Sequence, residues 1–250
     1  MQRYFIDQPF EGNNEVRLDG DIFHHISRVM RMKINDEFYI VFSDEKAGIA
    51  KIVDISNEEI IASIVKWEDT NKELPVKVAI VSGLPKGDKL ELIIQKGTEL
   101  GAYQFVPFIA DRSIVKWDSK KEKKKVERWQ KIALEAAEQA HRQHMPKVYA
   151  PCPFKHLLDI SQSFDHKLVA FEESAKLGET SNFVKAINNF NHGDSVLIVF
   201  GPEGGLSIEE VQQMEESGFQ ICGLGPRILR TETAPLYALS AISYQLELMR

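Results

Sequence analysis

One stretch constrains the fold more than any other. Val196-Leu197-Ile198-Val199-Phe200 runs into Gly201-Pro202-Glu203-Gly204-Gly205, and Ser207 with Glu210 then opens a helix. Five apolar residues in succession leave no polar face, so this strand is buried on both sides, as in a parallel sheet covered by helices. Ser207 with Glu210 three residues on has the capping-box spacing, and Gly218 would end that helix. The same grammar extends in both directions. Val76 to Ser82 reads as a second strand buried on both faces. Asp88 to Leu100 follows as a helix, with Leu90, Ile93, Ile94, Gly97 and Leu100 on one face and Gly101 as its stop. Phe105 to Ile109, Lys167 to Phe171 and Phe219 to Leu224 are further strands. A long helix from Ser119 to about His141, opened by a Ser119–Glu122 box, buries Val126, Trp129, Ala133, Ala136 and Ala140. A last helix runs from about Pro235 to Leu248. Alternation of this kind predicts an α/β domain with an open, mainly parallel sheet.

The first seventy residues follow a different rule. Glu37 to Phe42, Ile49 to Val53 and Ile60 to Val65 are short alternating strands separated by polar turns, which suggests a small barrel. One helix interrupts them, Asp21 to Met32, with Ile22, Ile26, Val29 and Met30 at core-facing steps. The polar segment Thr70 to Pro75 marks the boundary, giving domains 1–72 and 73–250. At 250 residues and 43% hydrophobic composition, neither half needs a metal or disulfide to hold a core. Cys152 and Cys222 match no metal-ligand spacing and read as buried fillers in a reducing compartment. No apolar run has the length of a signal peptide or membrane span, so a cytoplasmic protein is expected, with no membrane partner. The formal net charge of −6 argues against a non-specific nucleic-acid binder. It leaves room for an RNA recognised by shape at local basic patches.

Two loops carry the chemistry. The glycine turn after Phe200 is where ligands sit in open α/β sheets. It lacks the lysine of a P-loop and the spacing of a dinucleotide fingerprint, and taken alone it is equally well a tight turn with no ligand. The second loop, Leu224-Gly225-Pro226-Arg227-Ile228-Leu229-Arg230-Thr231-Glu232-Thr233, again follows a strand and precedes a helix. Arg230 and Glu232 have alternate spacing, which in an extended loop turns both to one side. An ion pair between them is the competing reading.

Together, Gly-Pro-Glu-Gly-Gly-Leu-Ser and Leu-Gly-Pro-Arg-Ile-Leu-Arg-Thr-Glu-Thr resemble the cofactor site of the SPOUT methyltransferases. They are most similar to the RsmE family, which methylates N3 of a uridine in small-subunit 16S ribosomal RNA. The likeness extends over Arg3-Tyr4-Phe5, His24 to Arg31, Gln95 to Gly101, Arg112-Ser113, Trp129 to Ala133 and Glu138-Gln139. Two departures stand out. After Gln139 the family commonly has Cys-Gly-Arg, whereas Ala140-His141-Arg142 follows here, and His141 and His144 read as surface histidines. The ribose 2′-O-methyltransferase branch usually carries an asparagine in its third motif, where this chain has Arg-Thr-Glu-Thr.

The resemblance implies a trefoil-knotted catalytic domain behind a PUA-like barrel, S-adenosylmethionine as cofactor, and a homodimer. It implies a cofactor site of Phe171, Glu172, Gly201, Pro202, Glu203, Gly204, Gly205, Leu224, Gly225, Ile228, Leu229, Arg230, Thr233 and Ala234. Uracil N3 must lose a proton before it can attack, which a carboxylate can assist and a guanidinium can stabilise. Glu232 is therefore expected as base or base-orienting group and Arg230 as charge stabiliser. N3 lies on the pairing edge, so the target nucleotide must be exposed first. That gives the N-terminal domain an RNA-docking role, with Arg3, His24, Arg28, Arg31 and Lys33 as candidates and Arg28 and Arg31 on one helix face. Arg112, Lys116 and Arg142 are further RNA candidates, beside the lysine cluster Lys120 to Lys125. A non-enzymatic RNA-binding or assembly protein would use the same basic face without needing the two loops.

Overall fold

The computed structural model describes residues 1–113, 119–172 and 182–249; Lys116 and the Ser119 side chain fall outside them. The chain divides into two compact units, Met1–Glu73 with Ala137–Met145, and Leu74–Ala136 with Pro146–Arg250. The expected cut between residues 72 and 73 thus moves by one. The second unit is also discontinuous, because 137–145 belongs with the first.

The first unit is a five-stranded sheet in the order β1-β3-β4-β5-β2, from β1 (Arg3–Phe5), β2 (Glu15–Leu18), β3 (Glu37–Val41), β4 (Ala47–Ile55) and β5 (Ile60–Trp67). β1 lies parallel to β3, and the other pairings are antiparallel. Register shifts between Ile49 and Ala50 and between Ile52 and Asp54 interrupt the longest pairing, the kind of irregularity that curls a sheet. Alternate residues, among them Phe38, Ile40, Ala50, Ile52, Ile60 and Ala62, fill the core.

The predicted helix from Asp21 to Met32 is not regular. α1 covers only Gly20–His24, and a π-helical turn follows over His25–Val29. Ile26 is fully buried as expected, but Val29 and Met30 face outward. A π turn spreads the same residues over a wider arc, so three- and four-residue spacing no longer marks one face. Arg31 lies beyond the turn in left-handed backbone, φ 53°, and so does not share a helix face with Arg28.

Two arginines expected at RNA are committed elsewhere. The Arg3 side chain is buried, donates to both Glu68 oxygens (2.8 and 2.7 Å) and to the carbonyl of Arg142 (3.1 Å), and lies 4.9 Å from the Tyr39 ring centroid. Arg142 is also buried and pairs with Glu73, its Nε 3.0 Å from Oε2, while the N–H groups of Gln143 and His144 donate to the same carboxylate. Neither guanidinium is free for a phosphate, because each neutralises a carboxylate inside the unit. These bonds tie 137–145 to the strands of the first unit.

The second unit carries a seven-stranded sheet, every pairing parallel. Its order is β12-β10-β11-β6-β7-β8, with β9 also on β7. The strands are β6 (Lys77–Gly83), β7 (Gln104–Ile109), β8 (Lys147–Val148), β9 (Cys152–Pro153), β10 (His166–Ala170), β11 (Ser195–Phe200) and β12 (Gln220–Cys222). The helices are α2 (Lys89–Glu99), α3 (Ser119–Gln139), α4 (Phe154–Ser161), α5 (Asn182–Asn188), α6 (Ile208–Glu216) and α7 (Ala234–Ser243), the last continued by a π turn, Tyr244–Leu248. β11 sends alternate side chains to opposite faces. Val196, Ile198 and Phe200 join α2, α3, α5 and α7 in one core, and Leu197 and Val199 join α4 and α6 in another. Trp129 is buried core, as its place in the α3 stripe predicts.

Burial alone would push the Glu73 carboxyl upward. The Arg142 guanidinium and the N–H groups of Gln143 and His144 outweigh that and hold it below the usual carboxylate range. A depressed folded-state pKa means stabilisation that is full above the unfolded value and is lost as pH falls through the folded one. Arg142→Met should therefore lower stability at pH 7 by about 3 kcal/mol, the typical cost of orphaning a buried charge. The deficit should narrow as pH falls, because protonating Glu73 removes the orphaned charge in the variant while wild type loses the stabilisation of its ion pair. Urea unfolding across pH checks both, and matching midpoints for the two proteins would contradict the pairing.

Candidate active site

Three parallel strands end level. Ala170, the last residue of β10, pairs with Phe200 of β11 on one side and Cys222 of β12 on the other. The segments that follow, from Phe171, Gly201 and Gly223, therefore leave the sheet together at its carboxyl edge. They enclose a cavity of about 520 Å³. Of the predicted cofactor residues, Phe171, Glu172, Gly201, Pro202, Glu203, Gly204, Gly205, Leu224, Gly225, Ile228, Leu229, Arg230 and Ala234 line it. Thr233 does not; it is exposed at the N-cap of α7.

The first loop is held from behind. The Ser207 Oγ accepts the Glu210 N–H (3.1 Å), and Glu210 accepts the Ser207 N–H (2.8 Å), the box predicted from spacing. Glu210 is fully buried, and its second oxygen accepts the Asp111 N–H (2.9 Å), while the Ser207 hydroxyl donates to Asp111 (2.9 Å). Capping thus joins α6 to the segment after β7. Within the turn, Gly205 has φ 72° and donates its N–H to Pro202, a left-handed conformation that glycine adopts without cost. A side chain on Gly83 would meet Pro202 at 2.5 Å, so the turn after β6 must be bare for the first loop to settle. Arg112, expected at phosphate, lines the cavity and donates to the carbonyl of Gly204 (3.0 Å).

The second loop is not extended where its charged residues lie. The N–H groups of Thr233 and Ala234 both donate to the Arg230 carbonyl, curling 230–233 into the start of α7. Alternate spacing therefore does not bring Arg230 and Glu232 to one side. Arg230 is exposed and lines the cavity. Glu232 is mostly buried and stands outside the lining, and its Oε2 accepts no hydrogen bond.

Lys89, in the first turn of α2, stands between the loops and was missed by the sequence reading. Its ammonium lies 2.8 Å from Glu203 and 3.6 Å from Glu232, and it too lines the cavity. Glu203 also accepts the Lys86 N–H (3.1 Å). Burial tends to raise the Glu203 carboxyl, but the bonds from Lys89 and the backbone prevail and hold it below the usual range. The hydrogen bond to Glu203, and the charges of both carboxylates, hold the Lys89 ammonium above the ordinary lysine value. The only sequence signal for Lys89 was its position just after a strand–helix turn. Elsewhere, Lys125 is committed to Glu91 (3.2 Å).

Residues 72–243 match the family model of an RNA methyltransferase domain, and residues 18–65 match that of an RNA methyltransferase PUA domain. The chain is 53% identical to ribosomal RNA small subunit methyltransferase E of Bacillus subtilis, over all of this chain and 99% of that protein. A crystal structure titled only as a hypothetical protein superposes with a TM-score of 0.93 at 50% identity, over the whole of both chains. Ribosomal RNA small subunit methyltransferase E from Neisseria gonorrhoeae, bound to S-adenosyl methionine, does so at 0.83 and 30%, over 98% of each chain. The chain belongs to the ribosomal RNA small subunit methyltransferase E family, an RNA methyltransferase with a PUA domain ahead of its catalytic one.

Proposed function

We propose that this chain transfers the methyl group of S-adenosylmethionine to N3 of a specific uridine in 16S ribosomal RNA. The observation that carries the reading is the single cavity formed where two glycine-bearing loops and the end of β10 meet. Its size is ordinary for a cofactor pocket. Its lining also suits a cofactor with a cationic sulfonium, an amino acid end and an aromatic base. Glu172 and Glu203 supply negative charge, Lys89, Arg112 and Arg230 supply positive, and Phe171, Leu206, Leu224 and Leu229 supply apolar wall.

Phe171, Glu172, the 201–205 turn, the loop from Leu224 to Arg230 and Ala234 are the residues that would hold the cofactor. When bound, it supplies the electrophilic methyl group. The chain's own residues handle orientation and the N3 proton. Arg230 stabilises the negative charge that spreads to the uracil carbonyls as the proton leaves. Glu232 is the base or base-orienting group for that proton, and Lys89, 3.6 Å from it and 2.8 Å from Glu203, balances its charge while bracing it against the first loop. Positioning of this kind is a large part of any group-transfer rate.

On the RNA side, His24, Arg28, Arg31 and Lys33 are all exposed on the first unit. In the same reading the C-terminal segment threads a trefoil knot, and a homodimer works in the cytoplasm on the small ribosomal subunit. Family membership supports these points. The dimer has further support from Tyr237, Tyr244, Leu248 and Met249, large apolar side chains exposed along the last helix. Among the described residues no helix is long and apolar enough to cross a membrane.

Calorimetry should give saturable binding of S-adenosylmethionine and none of ATP, and deleting the gene should remove one uridine-N3 methyl group from 16S RNA by mass spectrometry. A full set of methyl groups in the deletion strain would refute the assignment. Glu232→Gln should slow single-turnover methylation about 100-fold, the scale of general-base assistance, with cofactor affinity kept. A wild-type rate would remove Glu232 from the proton's path. Lys89→Met should weaken cofactor binding roughly tenfold by releasing two loops at once, with Lys89→Arg restoring most of it. Equal affinities in wild type and Lys89→Met would show that the ammonium braces nothing.

A further inference from the structure

The π turn and its exit leave an unusual surface on the first unit. Val29, Met30 and Ile34 are 56, 46 and 52% exposed, three large apolar side chains within six residues. His24, Arg28, Arg31 and Lys33, interleaved with them, are exposed and make no ion pair with any described carboxylate. Nor is the segment loose. Ile26 is fully buried, Met32 packs on the core, and the Met32 N–H donates to the Ile26 carbonyl (3.1 Å). The turn that carries Ile34 is pinned by Lys33 N–H to Asp36 (2.7 Å) and Asn35 N–H to Ile52 (2.9 Å). Arg31 and Asn35 both hold left-handed backbone, φ 53 and 78°. Backbone held in such conformations by its surroundings is enriched at binding surfaces.

From this we infer that Val29, Met30 and Ile34 are RNA-contact residues that pack against unstacked bases, with Arg28, Arg31 and Lys33 seating the adjoining phosphates. This rests on the RNA-modifying reading above and extends it from charge to apolar contact. A protein partner would fit the apolar side chains alone. The interleaved, unpaired cations favour a polyanion that also offers flat apolar faces, which is single-stranded or splayed RNA. Apolar wedges of this kind hold bases out of their stack elsewhere. The need is real here, since N3 is hidden in any paired uridine.

The two kinds of interaction respond differently to salt. Cations seated on phosphates release counterions and set the slope of log affinity against log salt; apolar packing does not. The experiment is fluorescence anisotropy of labelled 16S RNA transcript and of a uridine 12-mer over a potassium chloride series. Val29→Ser/Met30→Ser/Ile34→Ser should bind both probes at least about tenfold more weakly, with the slope unchanged. Arg28→Gln/Arg31→Gln should flatten the slope by about 0.7 for each phosphate of a single strand that is no longer neutralised. The melting temperature should hold for the triple variant, since its side chains are exposed. If it does not fold, Val29→Ser and Ile34→Ser tested singly give the same comparison. Wild-type affinity in the serine variants would overturn the inference. So would an RNA affinity left intact while sedimentation shifts to a smaller species, which would assign the surface to a protein partner. A wild-type protein that binds no RNA would instead sink the wider reading.

Discussion

The site depends on a register. Ala170 is level with Phe200 and with Cys222, so three parallel strands stop in one line. Had β12 paired one step out of phase, its inward and outward side chains would have exchanged faces. Cys222 would then leave the core it shares with Leu168 and Ile198. Burial therefore fixes where the strand ends, and the strand end fixes where its loop begins. The same hydrophobic pattern that stabilises the sheet aims the two glycine loops at each other.

Electrostatics then hold what packing has aligned, and in both units the bonds are made by buried or half-buried carboxylates. Glu210 braces the first loop through a capping box and reaches the segment after β7. Glu203 and Glu232 meet at Lys89, one on each loop. Glu68 and Glu73 gather Arg3 and Arg142 within the first unit. Each carboxylate pairs with a group far from it in the chain. Such arrangements add little stability beyond an apolar substitute, and breaking one partner is costly. Their contribution is geometric. A carboxylate accepts from several directions at once, so a single side chain can register two segments that apolar packing would let slide.

Much of this was legible in the residues. The apolar run 196–200, the Ser207–Glu210 box and the stripe of the long helix all specify local structure through local spacing, and all three elements formed where expected. Much of what could not be read has one cause in common. Strand order, the capture of 137–145 by the first unit and the place of Lys89 are set by partners far away in sequence. The reading of Arg3 and Arg142 failed for that reason: an arginine looks alike in sequence whether it faces water or a buried glutamate. The shared face expected of Arg230 and Glu232 failed for a nearer one, since period-two spacing means one face only in extended backbone, and two N–H groups bonding to the Arg230 carbonyl curl it. The π turn belongs with them, because a single widened turn keeps Ile26 in the core but turns Val29 and Met30 outward.

A protein of net charge −6 that handles RNA faces a selection problem, and the distribution of its cations bears on it. Affinity drawn from phosphates is indifferent to sequence and shape and is largely lost as salt rises. Several of this chain's cations are already matched to carboxylates: Arg3, Arg142, Lys89, Lys125 and Arg128 all are. Withdrawing them lowers attraction to bulk RNA. What is left on the segment 24–34 of the first unit is a short cationic surface interrupted by apolar side chains. Such a surface gains little from a regular duplex, whose bases are stacked away. On the inference drawn above, it gains from an RNA already distorted enough to show a base face, so discrimination would draw on the substrate's exposed geometry as well as on charge.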